Sequence, residues 1–128
     1  MWVNQAQFQM ILLLLSRRNM EQNNLRILAR NELGFISKPK GLDMVHLCFN
    51  NLMINFTQSD FETFRGIVKR IHLENGSIVF PDGRERILLH SPYDGINFSF
   101  DLYELHQLVS ALDEAYYMQQ IYSYMNEG

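Results

Sequence analysis

Apolar and polar residues alternate along "VHLCFNNLMINF", residues 45–56, in the pattern of a β-hairpin with one buried face. The predicted loop is Asn50-Asn51, since both asparagines tolerate the positive φ that a type I′ turn requires. This loop fixes the register, and the predicted cross-strand pairs are Met44–Thr57, Val45–Phe56, His46–Asn55, Leu47–Ile54, Cys48–Met53 and Phe49–Leu52. One face of the hairpin is then entirely apolar, whereas the mixed face carries His46 and Cys48.

Two other segments have apolar residues at helical spacing. The first helix is predicted to begin at the N-cap Ser59, with Glu62 completing a capping box, and to end near Asn75. The second is predicted to begin at Asp101, with Glu104 in the matching position. The predicted inner positions are Phe61, Phe64, Ile67, Val68 and Ile71 in the first helix and Leu102, Leu105, Leu108, Val109, Leu112 and Ala115 in the second. The remaining predicted strands cover residues 25–30, 77–80, 84–90 and 96–100.

A shift of 42 positions superimposes the two halves of this pattern with ten identities in 42 ungapped positions. Unrelated sequences of average composition would share about two or three. The identical pairs are Glu32/Glu74, Gly34/Gly76, Ile36/Ile78, Pro39/Pro81, Gly41/Gly83, Leu47/Leu89, Ile54/Ile96, Asn55/Asn97, Phe56/Phe98 and Glu62/Glu104. The predicted fold class is therefore α+β, a single two-layer domain (1–128) whose antiparallel sheet contains duplicated β-β-β-α units at 32–73 and 74–115. Neither unit could bury its apolar faces well alone.

The two ends of the chain are predicted to be helical. Residues 1–19 contain the apolar run "MILLLL", which predicts an N-terminal apolar helix far too short to span a membrane. Arg17 and Arg18 follow this run instead of preceding it, the wrong order for a signal peptide. A native start at Met20 is the alternative to a start at Met1. Residues 116–128 are predicted to be a Tyr-rich helical extension of the second unit.

The first unit resembles an uncharacterised family of small bacterial proteins. The resemblance is carried by Gly34-Phe35-Ile36, the strand Val45–Phe49, the turn Asn50-Asn51, and Asp60-Phe61-Glu62 followed by Phe64. It implies a β-β-β-α unit of unknown function. Many relatives have a Cys-x-x-Cys motif in the first turn, where this chain has "KPKGLD". A metal role implied by that motif is therefore not expected here.

Composition narrows the function mainly by exclusion. The 128 residues carry a formal net charge of -3, which argues against nucleic acid or a membrane surface as the partner. The one cysteine cannot form an intramolecular disulfide, so nothing requires an oxidising compartment. We expect a cytoplasmic protein.

Three groups of residues are candidates for a site. His46, Cys48 and His90 could hold a metal, or a Cys–His pair could act as a nucleophile, but a buried cysteine in an ordinary hairpin is the simpler interpretation. Lys38, Lys40, Arg84 and Arg86 flank the two Pro-x-Gly turns and form a candidate anion-binding rim if the two units bring them together. The interface candidates are Tyr116, Tyr117, Tyr122 and Tyr124, with Trp2 and Phe8.

These observations favour a non-enzymatic cytoplasmic binding or adaptor module that contacts another protein or a second copy of itself. No catalytic residue, metal or cofactor is predicted. The alternative is a small-molecule or metal-binding protein with a site between the units near His46, Cys48 and His90.

Overall fold

The computed structural model describes residues 25–91 and 94–125. Within these ranges the chain is α+β, with seven strands and two helices. The elements are β1 (Leu25–Asn31), β2 (Gly34–Pro39), β3 (Val45–Phe49), β4 (Leu52–Phe56), α1 (Gln58–Glu74), β5 (Ile78–Val79), β6 (Glu85–His90), β7 (Asn97–Phe100) and α2 (Leu102–Tyr124). The predicted N-terminal helix, residues 1–19, lies outside the described residues.

The predicted α+β class is confirmed, but the strands are divided between two antiparallel sheets instead of one. Strands β1, β2, β3 and β4 form a four-stranded meander, and β5, β6 and β7 form a three-stranded one. The strand predicted at 25–30 is β1, which pairs along β2 and contains an irregularity between Ile27 and Ala29. Because of it, both Leu28 and Ala29 are buried, although they are neighbours in the sequence.

The β3–β4 hairpin has the predicted register at five of the six predicted pairs, and the sixth, Met44–Thr57, lies just outside the two strands. Of the loop residues Asn50 and Asn51, only Asn50 has a positive φ, 52°, so the prediction of a type I′ turn was wrong. Val45, Leu47 and Phe49 are buried on the apolar face, as the alternation predicts. Cys48 is also buried, on the mixed face.

One hydrophobic cluster joins both sheets and both helices. Helix α2 contacts β1 and β2 of the first sheet, β6 and β7 of the second, and α1. The predicted inner stripe of α1 is confirmed by the buried Phe61, Phe64 and Val68, and that of α2 by the buried Leu105, Leu108, Leu112 and Ala115. Leu102, predicted to be inside, is 53% exposed because it stands at the first position of the helix.

Side-chain hydrogen bonds attach the first turns of α2 to the tips of two hairpins. The Tyr103 hydroxyl donates to the Glu32 carboxylate at 2.9 Å, in the turn between β1 and β2. Asn50, in the β3–β4 turn, donates its amide to the Glu104 carboxylate, also at 2.9 Å. These bonds set the position of α2 along the first sheet.

The second predicted helix start is confirmed, and the first was wrong. Asp101 and Glu104 make both bonds of a capping box. Helix α1 is capped by Thr57, not Ser59, with the Thr57 hydroxyl accepting from the Asp60 amide at 3.1 Å. The Asp43 carboxylate accepts from the backbone N–H of Gln58 at 3.1 Å. This bond satisfies a donor of the first helical turn, so the helix begins earlier than predicted.

The geometry does not establish the duplication with its constant shift of 42. The two N-caps, Thr57 and Asp101, are 101 − 57 = 44 positions apart. The hairpin loops also differ, with two residues between β3 and β4 and six between β6 and β7. The helix of the second unit continues beyond residue 115 to Tyr124, so residues 116–124 of the predicted extension are part of α2, and residues 126–128 lie outside the described residues. The repeated units stay a prediction.

Candidate functional site

Helices α1 and α2 lie antiparallel and are joined by three polar pairs, which we call the seam. The pairs are Gln58–Gln119, Arg65–Asp113 and His72–His106. Successive members on α1 are seven residues apart, and those on α2 are seven and six apart. Two helical turns contain about seven residues, so the three α1 residues lie along one edge of α1 and the three α2 residues lie along one edge of α2.

The first pair of the seam is a reciprocal amide pair. Gln58 donates its side-chain nitrogen to the Gln119 oxygen at 3.1 Å, and Gln119 donates to the Gln58 oxygen at 2.7 Å. Each amide therefore satisfies the other, and the first turn of α1 is attached to the C-terminal part of α2.

The second pair is the ionic centre of the seam. Arg65 Nε lies 2.8 Å from Asp113 Oδ1, and Lys69 Nζ lies 3.2 Å from the same oxygen. The Arg65 guanidinium also stacks on the Tyr116 ring, 4.1 Å from its centroid. This stacking holds the guanidinium in place and leaves Tyr116 partly buried against the core.

The third pair brings together two histidines that are 34 positions apart. His72 Nε2 and His106 Nδ1 are 3.0 Å apart, and the two rings meet edge to face at a centroid distance of 4.5 Å. One of the two facing nitrogens must carry a proton and the other must accept it. Both side chains reach solvent at the end of the seam.

The outward face of α2 carries an exposed apolar stripe near its C-terminal end. Tyr117, Ile121 and Tyr124 are 54%, 46% and 84% exposed. Their spacing of four and three residues puts them on one face of the helix, opposite the buried Leu112 and Ala115. We call these three residues the outer stripe.

The predicted interface tyrosines therefore divide into two groups. Tyr117 and Tyr124 belong to the outer stripe. Tyr116 and Tyr122 are partly buried against the core, and Tyr122 is covered by the Arg26 guanidinium at 4.0 Å. The predicted partners Trp2 and Phe8 lie outside the described residues.

A cavity of about 150 Å³ opens between the first sheet and the two helices. It is lined by Arg26, Leu28, Lys38, Pro39, Lys40, Gln58, Gln119 and Tyr122. Three cationic side chains and no carboxylate are thus at its walls. The Lys38 ammonium donates to the Leu42 carbonyl at 2.8 Å, which leaves two of its three hydrogens for other acceptors.

The predicted anion-binding rim is thereby only half assembled. Lys38 and Lys40 line the cavity, whereas Arg84 and Arg86 do not. Arg86 instead donates to the Asp82 carboxylate at 2.8 Å. This hydrogen bond, together with one from the Arg84 backbone N–H, lowers the pKa of Asp82. The basic residues of the two turns do not share this cavity because their strands belong to different sheets.

The mixed face of the β3–β4 hairpin contains a buried thiol and a paired imidazole. Burial raises the pKa of the Cys48 thiol to about 11, so the thiol stays protonated at neutral pH. The hydrogen-bond partner of His46 is not this thiol: its Nδ1 is hydrogen-bonded to the Asn55 side-chain oxygen on the neighbouring strand. The arrangement lacks the activated thiolate that a Cys–His nucleophile needs.

His90 repeats the arrangement of His46 in the second sheet. Its Nδ1 is 2.7 Å from the Asn97 side-chain oxygen, across the β6–β7 pair. Residues 25–91 and 94–125 contain no group of three or more His, Cys, Asp or Glu side chains placed to hold a metal ion. The structure therefore does not bring His46, Cys48 and His90 together as one group of three ligands, and the metal site of the alternative stays a prediction.

The comparisons with known proteins concern the first sheet and α1. Residues 20–77 match the model of a family of unknown function (DUF6686). This agrees with the predicted resemblance to an uncharacterised family, while the individual motifs quoted for it stay predictions. No curated protein and no solved structure gives a significant match to the chain. Over the described ranges, neither helix is long and apolar enough to cross a membrane.

Sequence reasoning did not find the seam or Ile121. The signal for Ile121 was present, since its spacing puts it on the same helical face as Tyr117 and Tyr124. The prediction instead selected residues because they were tyrosines, without asking which face of the helix each one occupies. The seam had no local signal, because each of its pairs joins residues 34 to 61 positions apart.

Proposed function

We propose that the protein is a non-enzymatic cytoplasmic binding module, and that the outer stripe is the surface through which two copies associate. The observation that supports this is the exposure of Tyr117, Ile121 and Tyr124 on a helix whose opposite face already packs in the core. Aromatic side chains in such a position bury large apolar area at low entropic cost when a partner covers them.

A second copy is the partner that the geometry favours. In a twofold-symmetric dimer the same patch of both copies meets itself, so an apolar stripe along one helix face pairs with the equivalent stripe of the second copy. Stable interfaces bury about 800 Å² per partner, more than three side chains supply, so we expect neighbouring residues of α2 to contribute. The buried single thiol is consistent with a reducing compartment.

The mass of the full-length protein in solution tests this proposal. We expect native mass spectrometry and light scattering to give a dimer for the wild type and a monomer for the double variant Tyr117→Ser/Ile121→Ser. The matched control is Leu73→Ser on α1, which removes an 82% exposed apolar side chain away from the stripe and should leave the dimer intact. A monomeric wild type at concentrations up to about 100 μM would overturn self-association, because it would leave an association free energy weaker than about −5.5 kcal/mol.

The cavity supports a second candidate function, the binding of a small anionic molecule. Its walls combine the ammonium groups of Lys38 and Lys40 with two amides and the Tyr122 ring, the mixture of polar and apolar surface that small-ligand sites have. At about 150 Å³ the cavity fits a small carboxylate or phosphate compound, not a dinucleotide.

Isothermal titration calorimetry with inorganic phosphate and citrate tests this second function. We expect Lys38→Ala/Lys40→Ala to abolish binding. The control Arg84→Ala/Arg86→Ala should bind as the wild type does, because these residues do not line the cavity. Equal affinity in both variants would show that any binding is non-specific.

A further inference from the structure

We propose that His72 and His106 form a binding site for one divalent transition-metal ion, of the class that prefers imidazole nitrogen, such as Zn²⁺ or Cu²⁺. The site is at the solvent end of the seam and is separate from both the outer stripe and the cavity. It differs from the metal site considered from the sequence, which involved His46, Cys48 and His90.

The separation of the two nitrogens is the first argument. An imidazole nitrogen binds zinc at about 2.0–2.1 Å, so two nitrogens on the same ion are about 2.8–3.4 Å apart for angles between a right angle and a tetrahedral one. His72 Nε2 and His106 Nδ1 are 3.0 Å apart, inside that range. On binding, the imidazole that carries its proton on the facing nitrogen would change tautomer, moving that proton to the other nitrogen of its own ring through water, so that both facing lone pairs are available to the ion.

The support of the two ligands is the second argument. His72 is on α1 and His106 on α2, and the neighbouring pair of the seam, Arg65–Asp113, fixes the two helices relative to each other. Ligands on packed helices are held more firmly than ligands on loops, which lowers the entropy lost on binding.

The hydrogen bonding of the facing nitrogens is the third argument. The Nδ1 atoms of His46 and His90 are hydrogen-bonded to asparagine side chains. Within the described residues, His72 Nε2 and His106 Nδ1 are hydrogen-bonded only to each other.

The chemistry of the site follows from its two ligands. Within the described residues no third His, Cys, Asp or Glu side chain completes the coordination. Water would fill the other positions, so the ion would keep open positions for an exogenous ligand, and affinity would follow the order in which Cu²⁺ exceeds Zn²⁺. Bound metal would link the end of α1 to the first half of α2.

The test uses the full chain, free of affinity tag and chelator, titrated with ZnCl₂ in a calorimeter. We expect one ion per chain, and a loss of affinity of at least about tenfold for His72→Ala and for His106→Gln, since each removes one of two ligands. His90→Ala is the matched control, because it removes an exposed histidine whose partner is an asparagine. Its affinity should equal that of the wild type.

Two further measurements separate loss of the site from loss of the fold. In the presence of EDTA each seam variant should melt only a few degrees below the wild type, because it loses one solvent-exposed hydrogen bond and keeps the fold, and zinc should raise the melting temperature only where both seam histidines are present. The imidazole ¹⁵N resonances of His72 and His106 should shift on zinc addition. No binding by the wild type, undiminished binding by either seam variant, or zinc-dependent shifts at His46 or His90 instead would overturn the proposal.

Discussion

The β3–β4 hairpin and the α1–α2 seam are both antiparallel pairings, and different forces hold them. In the hairpin, backbone hydrogen bonds set the spacing and one continuous apolar face, with Leu47 2% exposed, supplies the burial. In the seam, the visible links are three chemically different polar pairs at the edge of a shared apolar contact. We infer that apolar burial at the hairpin contributes more to stability than the polar pairs of the seam do, whereas the seam fixes how the helices are aligned.

The largest expected effect is a change at Gly34, which packs against the hairpin from β2. A Cβ added there would meet the Cys48 carbonyl oxygen at 1.9 Å and Phe49 Cα at 2.9 Å, both backbone atoms that cannot move aside. We expect Gly34→Ala to lower the free energy of unfolding by about 3 kcal/mol or more. Urea denaturation followed by circular dichroism measures it.

Gly66 provides the matched control. It lies within α1, where an added Cβ would meet nothing within 4 Å. We expect Gly66→Ala to raise the free energy of unfolding by about 0.5–1 kcal/mol through helix propensity. Equal effects at Gly34 and Gly66 would mean that β2 does not approach β3 as closely as described.

Removing apolar volume from the hairpin comes next. Leu47→Ala deletes a side chain that is 2% exposed in a central strand, and we expect a loss of about 2–5 kcal/mol in the free energy of unfolding. Leu73→Ala, on the exposed side of α1, should change it by less than about 0.5 kcal/mol. A small effect of Leu47→Ala in the same urea titration would contradict the assignment of the stability to this face.

The seam should respond more weakly. Asp113→Asn weakens the contacts to both Arg65 and Lys69, and because these groups are partly exposed we expect a loss of about 1–2 kcal/mol that shrinks at high salt. Asp82→Asn, which breaks the exposed pair between the turn after β5 and Arg86 of β6, should leave the free energy of unfolding nearly unchanged. A double-mutant cycle with Arg65→Met measures the coupling, and a coupling near zero would show that the seam aligns nothing.

The smallest effect at neutral pH is expected at the hairpin thiol. Burial raises the pKa of Cys48 from its ordinary 9.0 to about 11, so the folded protein retains a proton that the unfolded chain releases. This contribution to stability is full below pH 9 and is lost as the pH rises towards 11. Cys48→Ala should flatten this alkaline decrease.

The reactivity of the same thiol gives a second measurement. Alkylation by iodoacetamide at pH 8 should be slow in the native protein and fast in urea, because the thiolate is the reactive form. Rapid native alkylation would instead revive Cys48 as a nucleophile.

The hairpin was predictable because its information is local. Alternation fixes which side chains share a face, and a two-residue loop then leaves one register that keeps Val45, Leu47 and Phe49 together. The type of the Asn50-Asn51 turn was predicted wrongly because asparagine tolerates a positive φ but does not require one, and Asn51 does not adopt it. The start of α1 was missed because Asp43, fifteen positions upstream, satisfies the Gln58 amide, and no local pattern encodes that contact.

The candidate sites were harder to predict for the same reason. His72 and His106 gave no metal-ligand spacing in the sequence, and they meet only because α1 and α2 pack antiparallel. The four tyrosines in the C-terminal part of α2 are the same residue type, but Arg65 and Arg26 cover Tyr116 and Tyr122 and leave Tyr117 and Tyr124 exposed. Composition alone could not distinguish the two pairs.

The sequence by itself determined the α+β class, the hairpin register, the inner stripes of both helices and the capping box at Asp101. Each depends on the spacing of apolar residues along the chain or on contacts between residues a few positions apart, and both can be read directly from the sequence. Only the tertiary structure decided that the strands form two sheets, that Lys38 and Lys40 share a cavity without Arg84, and that His72 meets His106. These features depend on how distant segments pack, and many packings are compatible with the same local pattern.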